Sequence, residues 1–291
     1  MIWPLLVPAA AALAACCSFG FVHRRLAPRA GTWVLTLLIA GAGLAVLWAV
    51  TMLAFGFLVQ HVAWLDLTWC NPLYRHHDHV PTALGVGALG MLVAMAAGGW
   101  RARRRYRRYA SLPGNQVEIV PTMTPMAMTL PGRSARIVVS SGMLRCLEAD
   151  ELRVLFAHEE AHGRHRHDRF LAIADVVATA LPILRPAMRQ LQHATERWAD
   201  ESAATAVGDR RLVARAIARA ALATNDAPPA PAMGLGTSSV VARVDALLRP
   251  RSANVATAAT WFGVGMTALA VATVSSTVQL HHLVAFALHI C

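Results

Sequence analysis

The stretch Leu155–Phe170 reads LFAHEEAHGRHRHDRF, with four histidines and three acids packed close together. The residues leading into it, LRVLFA, are apolar at helical spacing, so the histidines continue a helix that starts near Ala149. Each helical residue advances about 100°, which stands His158 and His162 one turn apart on the same face. Glu159 lies on the flank of that face, and Leu155 packs a turn earlier. Two imidazoles at this spacing reach one tetrahedral zinc while the adjacent carboxylate meets water at the metal. Zinc lowers the pKa of that water towards neutrality, and Glu159 is placed to take its proton and pass it to a leaving amine. A solvated polar turn is the bland alternative. The apolar lead-in, which would bury the helix, argues against it.

A catalytic zinc takes a third protein ligand. Asp168, ten residues after His158, stands where one protease group places its third ligand, but that arrangement turns the chain at a glycine and position 165 is His165. The alternative is Glu196 in TERWADESA, four residues before Asp200 on another expected helix. Glu196 would complete the zinc shell, and Asp200 would hydrogen-bond a ligand imidazole and fix its tautomer. Trp198, Ala199, Ala203 and Ala204 give that helix a face to bury.

The surrounding chain explains where such a site would sit. Of 291 residues 56% are hydrophobic and only 15% charged, which excludes an ordinary soluble domain. Four uncharged segments are long enough to span a bilayer: Ile2–Val22, Gly31–Val59, Val80–Trp100 and Asn254–Val274. Gly31–Val59 exceeds what a span needs, so it is tilted or runs beyond the apolar layer. Arginines orient the spans. Arg24, Arg25 and Arg29 mark the first loop, RARRRYRR (Arg101–Arg108) follows the third span, and Arg249 and Arg251 precede the fourth. The N-terminus is then outside and everything between Arg101 and Arg251 is cytoplasmic. In this reading the net charge of +11 reflects anchoring beside anionic lipid, and no direct nucleic-acid binding is expected. The five cysteines form no CxxC pair, so neither a cysteine zinc site nor a disulfide framework is indicated.

The expected fold is a mainly α membrane protein with about four transmembrane helices and a small α+β cytoplasmic domain. Residues 1–108 carry three spans with basic cytoplasmic loops, 109–250 the domain, and 251–291 the fourth span and a tail. The domain opens with strand-like pieces, QVEIV, MAMTL and ARIVVS, read as a small antiparallel sheet with ARIVVS as an exposed edge. Helices follow, with breaks near Pro182, Pro186 and Ala227–Met233. Leu171–Leu184 is too short to span and is read as buried or membrane-grazing, with Asp175 in it either paired to an arginine or supporting the site. Arg164, His165 and Arg166 are read as basic surface.

HEEAH followed by ERWAD resembles the membrane-integral gluzincin peptidases, whose pattern is HExxH and then ExxxD. Within these the chain looks most like the β-lactam sensor-transducer antirepressor peptidases, in a short actinobacterial form without a sensor domain. The resemblance takes in VVSSGMLRCLEADELRVLFAHEEAH and ARVDALLRP. It implies a zincin-like domain with one zinc per chain. His158, His162 and Glu196 would be the metal ligands, Glu159 the catalytic base and acid, and Asp200 a support behind the ligands. The implied partners are the lipid bilayer and a protein or peptide substrate, such as a winged-helix repressor cleaved in regulated signalling. The alternatives are a constitutive quality-control peptidase and a non-catalytic signalling scaffold with a structural metal. Related heat-shock membrane peptidases usually carry an aspartate where this chain has His167.

Overall fold

The computed structural model describes residues 26–61, 80–110, 117–131, 136–225 and 237–249, with isolated helical residues at 10, 13, 14, 16, 260, 263, 267 and 274. The expected spans Ile2–Val22 and Asn254–Val274 and the stretch Ala227–Met233 therefore lie outside the described residues, isolated positions apart.

Two described helices, α1 (Pro28–His61) and α2 (Thr82–Ala110), are long and apolar enough to cross a membrane. They pack antiparallel. Phe57 lies against Gly85, and Leu53, Ala54 and Val50 share a cluster with Ala88 and Leu92. Continued along both helices, this register puts Arg101 at about the level of Gly41, at 1.5 Å of rise per residue. The first dozen or so residues of α1 thus run on past the arginines. There Val34, Leu35, Leu38 and Ile39 form one core with Leu184, Ala187, Leu191 and Ala194. The excess length of this segment is a foot planted against the helix that carries Glu196 and Asp200.

The sheet has the order β1–β3–β2, with β1 Val117–Val120, β2 Ala127–Leu130 and β3 Arg136–Ser140. β2 pairs antiparallel with β3, but β1 pairs with it in parallel, so the sheet is mixed rather than antiparallel. The stretch ARIVVS is not an edge. It supplies the central strand, and Val138, Val139 and Ser140 are buried on both of its faces. A near-continuous apolar run is the mark of an interior strand. β1 and β2 are the edges.

Ser140 Oγ accepts the Met143 N–H at 3.0 Å and starts the short helix α3 (Ser141–Cys146). α4 (Ala149–Arg164) begins with Glu151 accepting the Glu148 N–H at 3.0 Å. The fully buried Glu151 is paired with Arg219 at 2.8 Å and Arg215 at 3.4 Å. α4 ends at a turn made by Arg166, whose φ of 54° is left-handed. That conformation costs a non-glycine residue on the order of 1 kcal/mol.

α5 (His167–Ala180), a single 3₁₀ turn at Pro182–Leu184 and α6 (Arg185–Val207) form a hairpin against α1 and α2. Pro186 does not break the chain. It sits in the first turn of α6, where its missing N–H would have no helical partner anyway. Glycines let the hairpin approach: a Cβ on Gly43 would stand 2.9 Å from Val177, and one on Gly98 3.2 Å from Thr179. Asp175 pairs with Arg105 of α2, which settles its role as an ion-pair partner away from the metal-ligand candidates. Gly208, with φ 78°, closes α6. α7 (Arg210–Asn225) and α8 (Thr237–Leu248) then pack over α6 and α4.

Candidate metal centre

α4 brings His158 and His162 to one face, as the spacing of four requires, and their Nε2 atoms lie 3.2 Å apart. α6 brings Glu196 across from them. Its Oε2 is 3.4 Å from His158 Nε2 and its Oε1 3.4 Å from His162 Nε2. Ligand atoms about 2.0–2.1 Å from a tetrahedral zinc lie about 3.3–3.4 Å from one another. The two imidazole nitrogens stand at about that separation and each has one Glu196 oxygen at about the same distance, so the donor set suits zinc in both chemistry and spacing. Among the described residues these three side chains form the one group of histidines, cysteines or acids able to share an ion.

The back of each imidazole is also held. His158 Nδ1 lies 3.0 Å from Asp200 Oδ1, close but off the line of a good hydrogen bond. His162 Nδ1 lies 3.0 Å from His167 Nδ1. His167 is 1% exposed. Burial first, and then its histidine neighbours, press its pKa down to about 3, so it stands neutral and able to accept from His162. Burial likewise lowers His162. For His158 burial acts in the same direction, but Asp200 and Glu196 outweigh it and push the pKa up to about 10.

Arg243, from α8, closes the site. Its Nε and Nη2 donate to Asp200 Oδ2 and Oδ1, both at 2.7 Å, and its Nη1 reaches Glu196 Oε2 at 3.0 Å. Burial would raise the pKa of both carboxylates. For Asp200 the guanidinium chiefly outweighs it, and for Glu196 the His158 hydrogen bond and then the guanidinium do so, holding both below the usual range. Arg243 was not singled out from the sequence as a site residue. The only local signal is a charged residue inside the apolar run VVARV, far along the chain from ERWAD.

Thr129, on the edge strand β2, was missed too. Its hydroxyl lies 2.7 Å from Glu159 Oε2 and 2.7 Å from the Glu159 carbonyl oxygen. Glu159 is 7% exposed, so this hydroxyl fixes its carboxylate beside the histidine pair.

The other candidates lie apart. Asp168 accepts from Tyr106 Oη at 2.9 Å and faces Arg166, which turns it away from the cluster. His165 is no free basic surface. Its ring stacks on Trp198 at 4.5 Å, and its Nε2 lies 3.1 Å from Ser202 Oγ. Trp198 sits between Glu196 and Asp200 and also meets His167, Phe170 and the Arg29 guanidinium. The foot of α1 thus touches the helix that carries both carboxylates.

Known proteins resemble parts of this chain. A protein named Protease HtpX homolog from Pyrococcus furiosus is 41% identical over 78 residues, 26% of this chain and 27% of that protein. Proteins of the same name from Methanocaldococcus jannaschii and Thermococcus sibiricus are 40% identical over 78 residues and 37% over 75. The chain spans about a quarter of the length of the curated relatives it matches. No solved structure matches it significantly. Residues 101–287, more than half of the chain and the whole of the site, match the description of Peptidase family M48. The chain therefore belongs to peptidase family M48, a family of zinc metallopeptidases.

Proposed function

We propose that this membrane-associated M48 chain is a zinc endopeptidase that cuts protein chains at the cytoplasmic face of the membrane. The observation that carries the proposal is the triangle of His158, His162 and Glu196 donors at zinc-like spacing with Glu159 fixed beside it. Bound zinc supplies a Lewis acid that polarises the scissile carbonyl and acidifies water. His158, His162 and Glu196 would hold it. The Glu159 carboxylate, oriented by Thr129, takes the proton from the attacking water and delivers it to the departing amine nitrogen. Asp200 and His167 keep the two ligand rings facing inward. β2 is an edge strand adjoining Glu159, so a substrate segment can add to it as a further strand.

For the substrate, the resemblance drawn from HEEAH and ERWAD supports a cytoplasmic protein such as a winged-helix repressor, cleaved in regulated signalling. A second reading is constitutive removal of damaged membrane proteins, which is compatible with relatives named Protease HtpX homolog. The two separate on incubation of the purified chain with a repressor and, in parallel, with a misfolded membrane protein. A single cut in the first supports regulated signalling, and many cuts in the second support quality control. Cleavage of neither, nor of the chain itself, with zinc bound would count against the peptidase reading and for a scaffold.

A further inference from the structure

The corner between α5 and α6 exposes apolar side chains that the metal site does not use. Ile183 at its tip is 60% exposed, and Ile173 and Val176, three apart on the outer face of α5, are 45% and 36% exposed. We infer that this corner rests in the apolar margin of the bilayer beside α2, covered by lipid, and that it fixes the distance between the membrane and the metal site.

The register with α2 sets its depth. Thr179 lies against Gly98 and Val176 beside Gly99, on the membrane side of Arg101. Asp175 pairs with Arg105 and Asp168 with Tyr106, on the other side of it. The tip is therefore level with the last apolar turn of α2, and Met95 packs into the same core as Leu181 and Leu184. α2 itself exposes apolar side chains on the membrane side of that level, with Val93 70% exposed and Val86 56%.

The charges form the matching boundary. Arg101, Arg103 and Arg104 are exposed at the end of the apolar stretch, and Trp100 is exposed there with the Arg104 guanidinium 5.2 Å from its ring. Arginine and tryptophan are residues of the headgroup layer. Arg185 and Arg189, exposed on α6 just after the tip, have side chains long enough to snorkel back to lipid phosphates.

The backbone at the tip suits apolar surroundings as well. The Leu181 N–H bonds Val177 O at 2.7 Å, the Leu184 N–H bonds Leu181 O at 2.9 Å, and Pro182 has no N–H to satisfy.

α5 runs alongside α2, and the twelve residues of α6 from Arg185 to Glu196 rise about 18 Å. The metal ligands are thus held about 18 Å from the corner. A membrane-anchored substrate in extended form needs roughly five or six residues, at about 3.3 Å each, between its span and the bond to be cut.

The inference rests on α1 and α2 spanning the bilayer and does not depend on peptidase activity. The test uses the full chain with its five cysteines replaced by serine or alanine, reconstituted in phosphatidylcholine/phosphatidylglycerol vesicles. Ile183→Cys and, at the far end of α6, Thr205→Cys are spin-labelled, and relaxation by oxygen (lipid-soluble) and by a nickel chelate (water-soluble) is measured. A label at 183 several-fold more sensitive to oxygen than to nickel, with the reverse at 205, is the expected result. Equal nickel access at both positions overturns the inference, because the corner is then in water. Shielding of position 183 from both reagents also overturns it, because protein then covers the corner. Val176→Cys, with the same expectation, replaces any Ile183→Cys preparation that loses its helical circular dichroism.

Discussion

Arg243 holds Asp200 in a two-pronged grip, both hydrogen bonds at 2.7 Å, while its remaining nitrogen reaches Glu196 at 3.0 Å. One guanidinium thus joins α8 to a candidate zinc ligand and to the carboxylate behind another. Asp200 is 2% exposed, so neither charge has water to fall back on. Removing one partner of a buried pair costs about 3–5 kcal/mol. Arg243→Met should lower the thermal midpoint markedly and weaken zinc binding by about 10–100-fold. Arg243→Lys should recover little of either, because an ammonium cannot form the planar double contact. Zinc titration and a thermal melt of each variant check this, and a lysine variant matching the parent would refute the geometric argument.

Glu159→Gln keeps shape but cannot take a proton. Proteolysis should fall by about 10²–10⁴-fold, the usual worth of a positioned base, while zinc per chain stays at the parental level. Thr129→Val removes only the hydroxyl that orients Glu159 and should lower kcat more than it changes KM. Full cleavage by Glu159→Gln would mean that the site binds metal without being the protease centre.

The third ligand is separable from its rival. Glu196→Ala should lose zinc and activity together, whereas Asp168→Ala should break the Tyr106 contact and keep the metal. Metal analysis of the two purified variants decides, and the opposite pattern would remove Glu196 from the ligand set.

His167 can be tested for what it does to His162, 3.0 Å away. Phenylalanine keeps a ring against Trp198 but has no acceptor, and asparagine keeps an acceptor where Nδ1 stands but has no ring. If His167 orients the ligand, His167→Phe should weaken zinc binding by about tenfold or more and His167→Asn should stay near the parent. A purely packing role reverses the order.

Reporter fusions address orientation. A fusion after Leu26 and one within residues 107–113 should report cytoplasm, and one near Asn71 the exterior. An external signal at 107–113 would place the site on the wrong side of the membrane for a cytoplasmic substrate.

Much of this protein is local in origin and was legible in the chain. The spacing of four between His158 and His162, and between Glu196 and Asp200, needs only helical geometry, and apolar length marks α1 and α2 as membrane candidates. What the sequence left open is nonlocal. Choosing between Asp168 and Glu196 depends on how α5 turns at Arg166 and returns through α6. The central place of β3 depends on which neighbours it meets, not on its own residues. Arg243 and Thr129 reach the site from elements far away in the chain, and no periodicity reports such contacts. The close approach of α5 to Gly43 and Gly98 is of the same kind. Local hydrogen bonding and side-chain period set which elements form, but the burial of charges and the fit of one helix against another are settled only when the chain is assembled.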